Sequence, residues 1–136
     1  MIGLDTNVLA RACLDDDPIQ SDIAKKMIST LASQRGLFIS SYALLELVWV
    51  LKVKGVTRHK ISAALLTLLD SPGIEVAERM TVVKALRSYE RGNADFGDYL
   101  ILAEGERHHC RQLATFDRAL LRENKHCRSP NEITGA

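Results

Sequence analysis

Residues 37–46 read Leu-Phe-Ile-Ser-Ser-Tyr-Ala-Leu-Leu-Glu, and the chain runs on through Leu-Val-Trp-Val-Leu-Lys-Val-Lys to Gly55. The opening apolar run is short and bounded by serine, which predicts a buried strand rather than a helix. Ser40 or Ser41 can then cap a helix through about Lys54, with Gly55 to stop it. Strand followed directly by helix is half of a βαβ unit, and the same alternation recurs in both directions. Upstream, residues 1–4 form a second short apolar run ending at Asp5-Thr6-Asn7. Asp15-Asp16-Asp17-Pro18 is turn and cap chemistry, and Ile23, Met27 and Leu31 at i, i+4 spacing predict a helix over 19–33, ended by Arg35-Gly36. Downstream, Thr57 caps a predicted helix to Leu69, Ser71-Pro72-Gly73 breaks it, and residues 73–76 predict a third strand. Helices over 81–91 and 95–107, a fourth strand over 111–115 and a short helix from Asp117 to Glu123 follow. Residues 127–133 predict an edge strand or a trailing end.

Strands alternating with helices predict an α/β fold of three layers, a mostly parallel central sheet of four to five strands flanked by helices. At 136 residues and 46% hydrophobic content, a single domain over residues 1–136 can bury a real core. No apolar stretch approaches the ~18–20 residues of a membrane span, and the first residues carry no basic leader, so a cytoplasmic protein with no membrane partner is expected. Cys13, Cys110 and Cys127 are odd in number and widely spaced. With His108, His109 and His126 they match no usual zinc spacing, which leaves scattered thiols in a reducing compartment.

The net charge of +1 announces no global field, but its distribution is uneven. Residues 1–50 sum to −2, residues 51–94 to +4 and residues 95–136 to −1. The basic middle includes Lys52, Lys54, Arg58 and Lys60, a solvated helical face by default and a phosphate track only beside an acidic site.

Such a site is suggested by the acids. Asp5 and Asp117 each follow a strand-like run, so both are expected at the carboxyl edge of the sheet, where open α/β sheets bind ligands. Glu46 sits among apolar neighbours and is expected to be partly buried, in need of a counter-charge. Asp95 and Asp98 share one face of a helix start at i, i+3, near the favourable end of the dipole. Taken singly, Asp95 or Asp98 is more often a helix cap than a ligand, and Asp117 reads equally as a cap. Taken together, carboxylates gathered at one crevice repel one another and raise one another's pKa unless a cation intervenes. An all-oxygen donor set selects a hard ion such as Mg²⁺ or Mn²⁺, which keeps waters and accepts phosphate oxygens. That is the chemistry of metal-assisted phosphodiester hydrolysis.

With these residues in place, the sequence resembles PIN-domain ribonucleases, and among them the VapC-type toxins of toxin–antitoxin pairs. The resemblance rests on Ile2-Gly3-Leu4-Asp5-Thr6-Asn7, on Ser41-Tyr42-Ala43-Leu44-Leu45-Glu46, on Ala94-Asp95-Phe96-Gly97-Asp98-Tyr99, and on Leu113-Ala114-Thr115-Phe116-Asp117-Arg118. It implies that Asp5, Glu46, Asp98 and Asp117 are the catalytic acids and metal ligands, with Asp95 a second-tier ligand. Thr6 and Thr115 would offer hydroxyls, and Asn7 would support the loop after the first strand. It further implies Mg²⁺- or Mn²⁺-dependent cleavage of a structured RNA, a transfer or ribosomal RNA, by a homodimer held inactive by a cognate VapB-type antitoxin. Gly97 and Tyr99 depart from the small residues often found beside the third acid, which bears on helix packing there. Lys52, Lys54, Arg58 and Lys60 become candidates for the RNA track. Tyr42 and Trp49 read as core, with an apolar groove or a base-stacking role as the functional option.

Other classes fit less well. A phosphoacceptor receiver domain needs paired acids after the first strand and a lysine after the last, and a haloacid-type phosphatase needs Asp-x-Asp where this chain has Asp5-Thr6-Asn7. A housekeeping RNA-processing PIN nuclease without an antitoxin is the alternative, and a non-catalytic PIN module that binds RNA or protein is another.

Overall fold

In a computed structural model describing residues 1–135, the opening strand forms over Ile2–Gly3 (β1) and passes through Asp5 into helix α1 (Thr6–Cys13). Then come α2 (Pro18–Gln34), β2 (Leu37–Ile39), α3 (Ser41–Val53), α4 (Arg58–Leu69) and β3 (Ile74–Val76). The caps expected from the sequence are realised. Asp17, Ser40 and Thr57 each accept a hydrogen bond from a backbone N–H three residues on, an arrangement worth ~1 kcal/mol per helix. These elements make up the first of two compact units, Met1–Arg79 and Met80–Ala136.

The first unit carries a three-stranded parallel sheet in the order β1-β2-β3. Ile2 pairs with Leu37 and Gly3 with Phe38, while Leu37–Ile39 pairs with Ile74–Val76. A central parallel strand is covered on both faces, and Leu37 and Ile39 are fully buried with Leu9, Leu44, Leu47, Ile61 and Leu65. Gly73, which leads into β3, has φ of +78°, and a Cβ there would lie 2.0 Å from the Ala32 carbonyl oxygen, so no side chain fits.

The second unit contains α5 (Arg79–Arg91), α6 (Phe96–Arg107), β4 (Leu113–Ala114), α7 (Arg118–Glu123), β5 (Cys127–Arg128) and α8 (Pro130–Thr134). Its strands pair in parallel, Leu113 with Cys127 and Ala114 with Arg128. Val82, Leu86, Tyr89, Phe96 and Leu120 are buried, and the Tyr89 and Phe96 rings meet edge to face at 6.1 Å.

The α/β class with parallel strands is observed, and three features differ from expectation. The five strands form two hydrogen-bonded ladders, of three and two strands, rather than one sheet. Residues 127–133 are not one edge strand: β5 ends at Arg128, and Ser129 and Glu132 build a reciprocal capping box that starts α8. Exposure also corrects two helix faces. In α2, Ile23 is open to solvent and the small residues Ser21 and Ala24 are buried, as close packing against α1 requires. In α3, Tyr42 and Trp49 are 78% and 65% exposed rather than core. That helix is apolar nearly all round, so its spacing alone could not say that Leu44, Leu47, Val48 and Leu51 form the inward face.

Candidate functional site

In the first unit, parallel pairing of β1 and β2 places their carboxyl ends side by side, and α1 and α3 start from those ends. Asp5 caps α1, one carboxylate oxygen accepting from the Val8 N–H at 3.1 Å. The Thr6 hydroxyl donates to Glu46 Oε2 at 3.1 Å and lies 3.5 Å from the Ala43 carbonyl oxygen. One bond therefore ties the start of α1 to the second turn of α3. Contrary to expectation, Glu46 is exposed and water supports its charge without a buried counter-ion. Asn7 is exposed, and its side chain makes no hydrogen bond among the described residues.

In the second unit, Asp95 and Asp98 form a reciprocal capping box at the start of α6, with the Asp95 N–H donating to Asp98 Oδ2 at 3.3 Å. Asp117 caps α7 by accepting from the Leu120 N–H at 2.9 Å, and its own N–H donates to Thr115 Oγ1 at 3.0 Å. Burial pushes the Asp98 carboxyl above its ordinary value, the Asp95 N–H pulls it back, and the Asp117 and Asp95 carboxylates push it further up. Three acids are thus electrostatically coupled here. Capping by Asp5 and Asp117 occupies one oxygen of each and leaves the other uncommitted.

Within their own units, Asp5, Glu46, Asp98 and Asp117 have no ion pair among the described residues, although ion pairs occur elsewhere in both. Their oxygen donors suit a hard divalent ion. No group of three or more His, Cys, Asp or Glu close enough to hold an ion occurs among the described residues. In donor chemistry the acids fit Mg²⁺ or Mn²⁺.

A second set of residues was missed by the sequence reading. The buried Tyr99 hydroxyl donates to Glu123 Oε2 at 2.5 Å and accepts from the Ala94 N–H at 3.2 Å, while Glu123 Oε1 accepts from the Asn93 N–H at 2.7 Å. This network holds the turn immediately before Asp95, and it resolves the packing question raised by Tyr99. Gly92 makes room for it, since a Cβ there would lie 1.9 Å from the Tyr99 hydroxyl. The available signal was a tyrosine on the apolar face of α6, because a buried phenol needs a polar partner. Of the basic residues singled out, Lys54 is 3.6 Å from Asp16 and so partly neutralised. Lys52 and Lys60 are exposed, and Arg58 is half-buried.

The PIN domain family matches residues 2–125, all but Met1 and the last eleven residues of the chain. The chain belongs to the PIN-domain family, which supports a nuclease function of the ribonuclease kind, usually assisted by divalent metal. Neither the comparison with curated proteins nor that with solved structures found a match. No helix among the described residues is long and apolar enough to cross a membrane.

Proposed function

We propose that this chain is an Mg²⁺- or Mn²⁺-dependent endoribonuclease, the toxin of a VapBC-type pair, acting as a single PIN domain over residues 1–136 in the cytoplasm. Its substrate is a structured RNA, a transfer or ribosomal RNA, and a cognate VapB-type antitoxin neutralises the homodimer. The observation that carries the catalytic part is the family match over residues 2–125 together with three acids at two helix starts of one unit, Asp95 and Asp98 in the α6 capping box and Asp117 capping α7, the half-buried Asp98 having no cation paired to it among the described residues of its unit. Repulsion among such carboxylates costs stability unless a cation relieves it.

Asp5, Glu46, Asp98 and Asp117 would hold the ion, with Asp95 in support. When bound, it supplies positive charge to the scissile phosphate and lowers the pKa of a coordinated water. The protein's contribution is orientation. Thr6 holds one oxygen of Glu46, the Leu120 and Asp117 N–H groups fix the α7 cap, and the Asp95 N–H holds one oxygen of Asp98. Each acid thereby turns in a restricted range, which reduces the cost of ordering it on ion binding.

Labelled transfer and ribosomal RNA incubated with purified protein test the chemistry. Cleavage should require Mg²⁺ or Mn²⁺, stop with EDTA and vanish in Asp98→Asn. Metal-independent or undiminished cutting would overturn the assignment. Expression without an antitoxin should arrest bacterial growth, and unimpaired growth would favour a housekeeping role.

A further inference from the structure

We propose that the amino end of the β4–β5 ladder is a second binding site for the phosphodiester backbone of single-stranded RNA, apart from the candidate acids. The choice of RNA among polyanions rests on the ribonuclease reading above. An open concavity of about 660 Å³ is lined there by Arg111, Gln112, Lys125, His126 and Arg128. Two guanidiniums, an ammonium, an imidazole and a carboxamide face it, and no carboxylate lines it among the described residues.

The parallel register explains how they meet. Leu113 pairs with Cys127, and the Leu113 N–H donates to the His126 carbonyl at 2.9 Å. Arg111 and Gln112 lead into β4, while Lys125 and His126 stand in the turn that the Cys127 N–H closes on the Asn124 carbonyl at 3.0 Å just before β5, so both segments bring cations to one end of the ladder and to one concavity. Arg111 and Lys125 have no ion pair among the described residues. Arg128 has Glu132 at 3.5 Å, both side chains half-exposed, a pair that contributes little. An anion bound among these cations relieves their mutual repulsion, and arginine forks match phosphate oxygens in pairs. Arg111 precedes β4 and Asp117 follows it, six residues apart along the chain and so separated by at most roughly 20 Å. Backbone held here anchors a flanking stretch of the substrate without touching the reacting phosphate.

Anisotropy of a fluorescein-labelled single-stranded RNA of about 20 nucleotides, titrated with the full chain in EDTA, tests the site without cleavage. Arg111→Gln/Lys125→Gln should weaken binding at least tenfold at ~0.1 M salt. The slope of log affinity against log salt should flatten by about 1.4, from ~0.7 per phosphate contact on a single strand. Arg111→Lys/Lys125→Arg should bind as the parent does. The charge-matched control Lys25→Gln/Lys26→Gln on α2 should change affinity less than twofold. Arg128→Gln alone should flatten the slope by about 0.7 and provides a readout should the double variant unfold. An unchanged affinity and slope, or an equal loss in the control, would overturn the proposal. A chain that binds RNA through these residues yet never cuts it would sink the nuclease reading and leave this site standing.

Discussion

Asp5 and Glu46 in the first unit and Asp98 and Asp117 in the second are the same kind of group in unlike surroundings. The first pair is exposed, so water carries most of the charge, and the bond between Thr6 and Glu46 acts chiefly as a clamp. The second pair is half-buried, and Asp98 feels both desolvation and two neighbouring carboxylates. The contrast extends to Asp15 in the first unit, whose carboxyl is held below its ordinary value by a hydrogen bond and charge from Lys25 and a bond from Ser21. The lesson is that identical acids meet unlike fields: water screens the exposed ones, whereas the half-buried Asp98 feels desolvation and its neighbours' charge.

The largest expected effect breaks this comparison at its strained end. Asp98→Asn should lower metal-dependent RNA cleavage more than 100-fold, since even outer partners of metal ligands cost ~10–100-fold. Its melting temperature in EDTA should stay level or rise by about 1–3 °C, because a charge that the fold disfavours is gone. A loss of activity that came with unfolding would instead mark Asp98 as structural. Thr6→Val, which removes the clamp on Glu46 and keeps the shape, should reduce cleavage roughly tenfold with little change in melting. An equal loss in Thr6→Val and Glu46→Gln would show that the clamp is all Glu46 needs.

Smaller effects sharpen the second unit. Gly92→Ala should destabilise by about 1–3 kcal/mol through collision with the Tyr99 hydroxyl, measured by denaturant unfolding. Tyr99→Phe should cost about 1–2 kcal/mol by stripping Glu123 of a donor. Combined, the two should cost less than their sum, since the phenylalanine removes the nearest of the atoms the methyl would meet. Strict additivity would mean that the glycine serves the backbone alone. The smallest effect is a pH slope. Because the folded protein raises the Asp98 pKa, its contribution is fully present below the unfolded carboxylate value and is lost as pH rises through the raised one. In EDTA, the melting temperature of Asp98→Asn should therefore gain on the parent between about pH 3 and pH 7. For Asp15 the sign is reversed: its contribution is present above the unfolded value and lost as pH falls through the lowered one.

Local signals were legible where the chemistry is local. Asp17, Ser40, Thr57 and Asp117 cap helices because a short side-chain oxygen reaches an N–H three residues on, whatever surrounds it. The strand–helix order was readable for the same reason. The face of α3 was not, because an all-round apolar helix has no stripe to betray its inward side, and the partial burial expected for Glu46 failed on that point. Residues Tyr99, Glu123 and Asn93 were illegible as a group, since their bonds join positions up to 30 residues apart.

From its residues alone, this chain specified an α/β PIN architecture, the helix starts and the acids available for metal chemistry, because caps, short apolar runs and motif order act over a few neighbours. Folding alone decided that Thr6 reaches Glu46, that Asp98 shares its field with Asp95 and Asp117, and that Arg111, Lys125 and Arg128 line one concavity. Those outcomes depend on strand register and burial, which bring distant segments within a few ångströms, the range over which carboxylates and cations decide each other's charge.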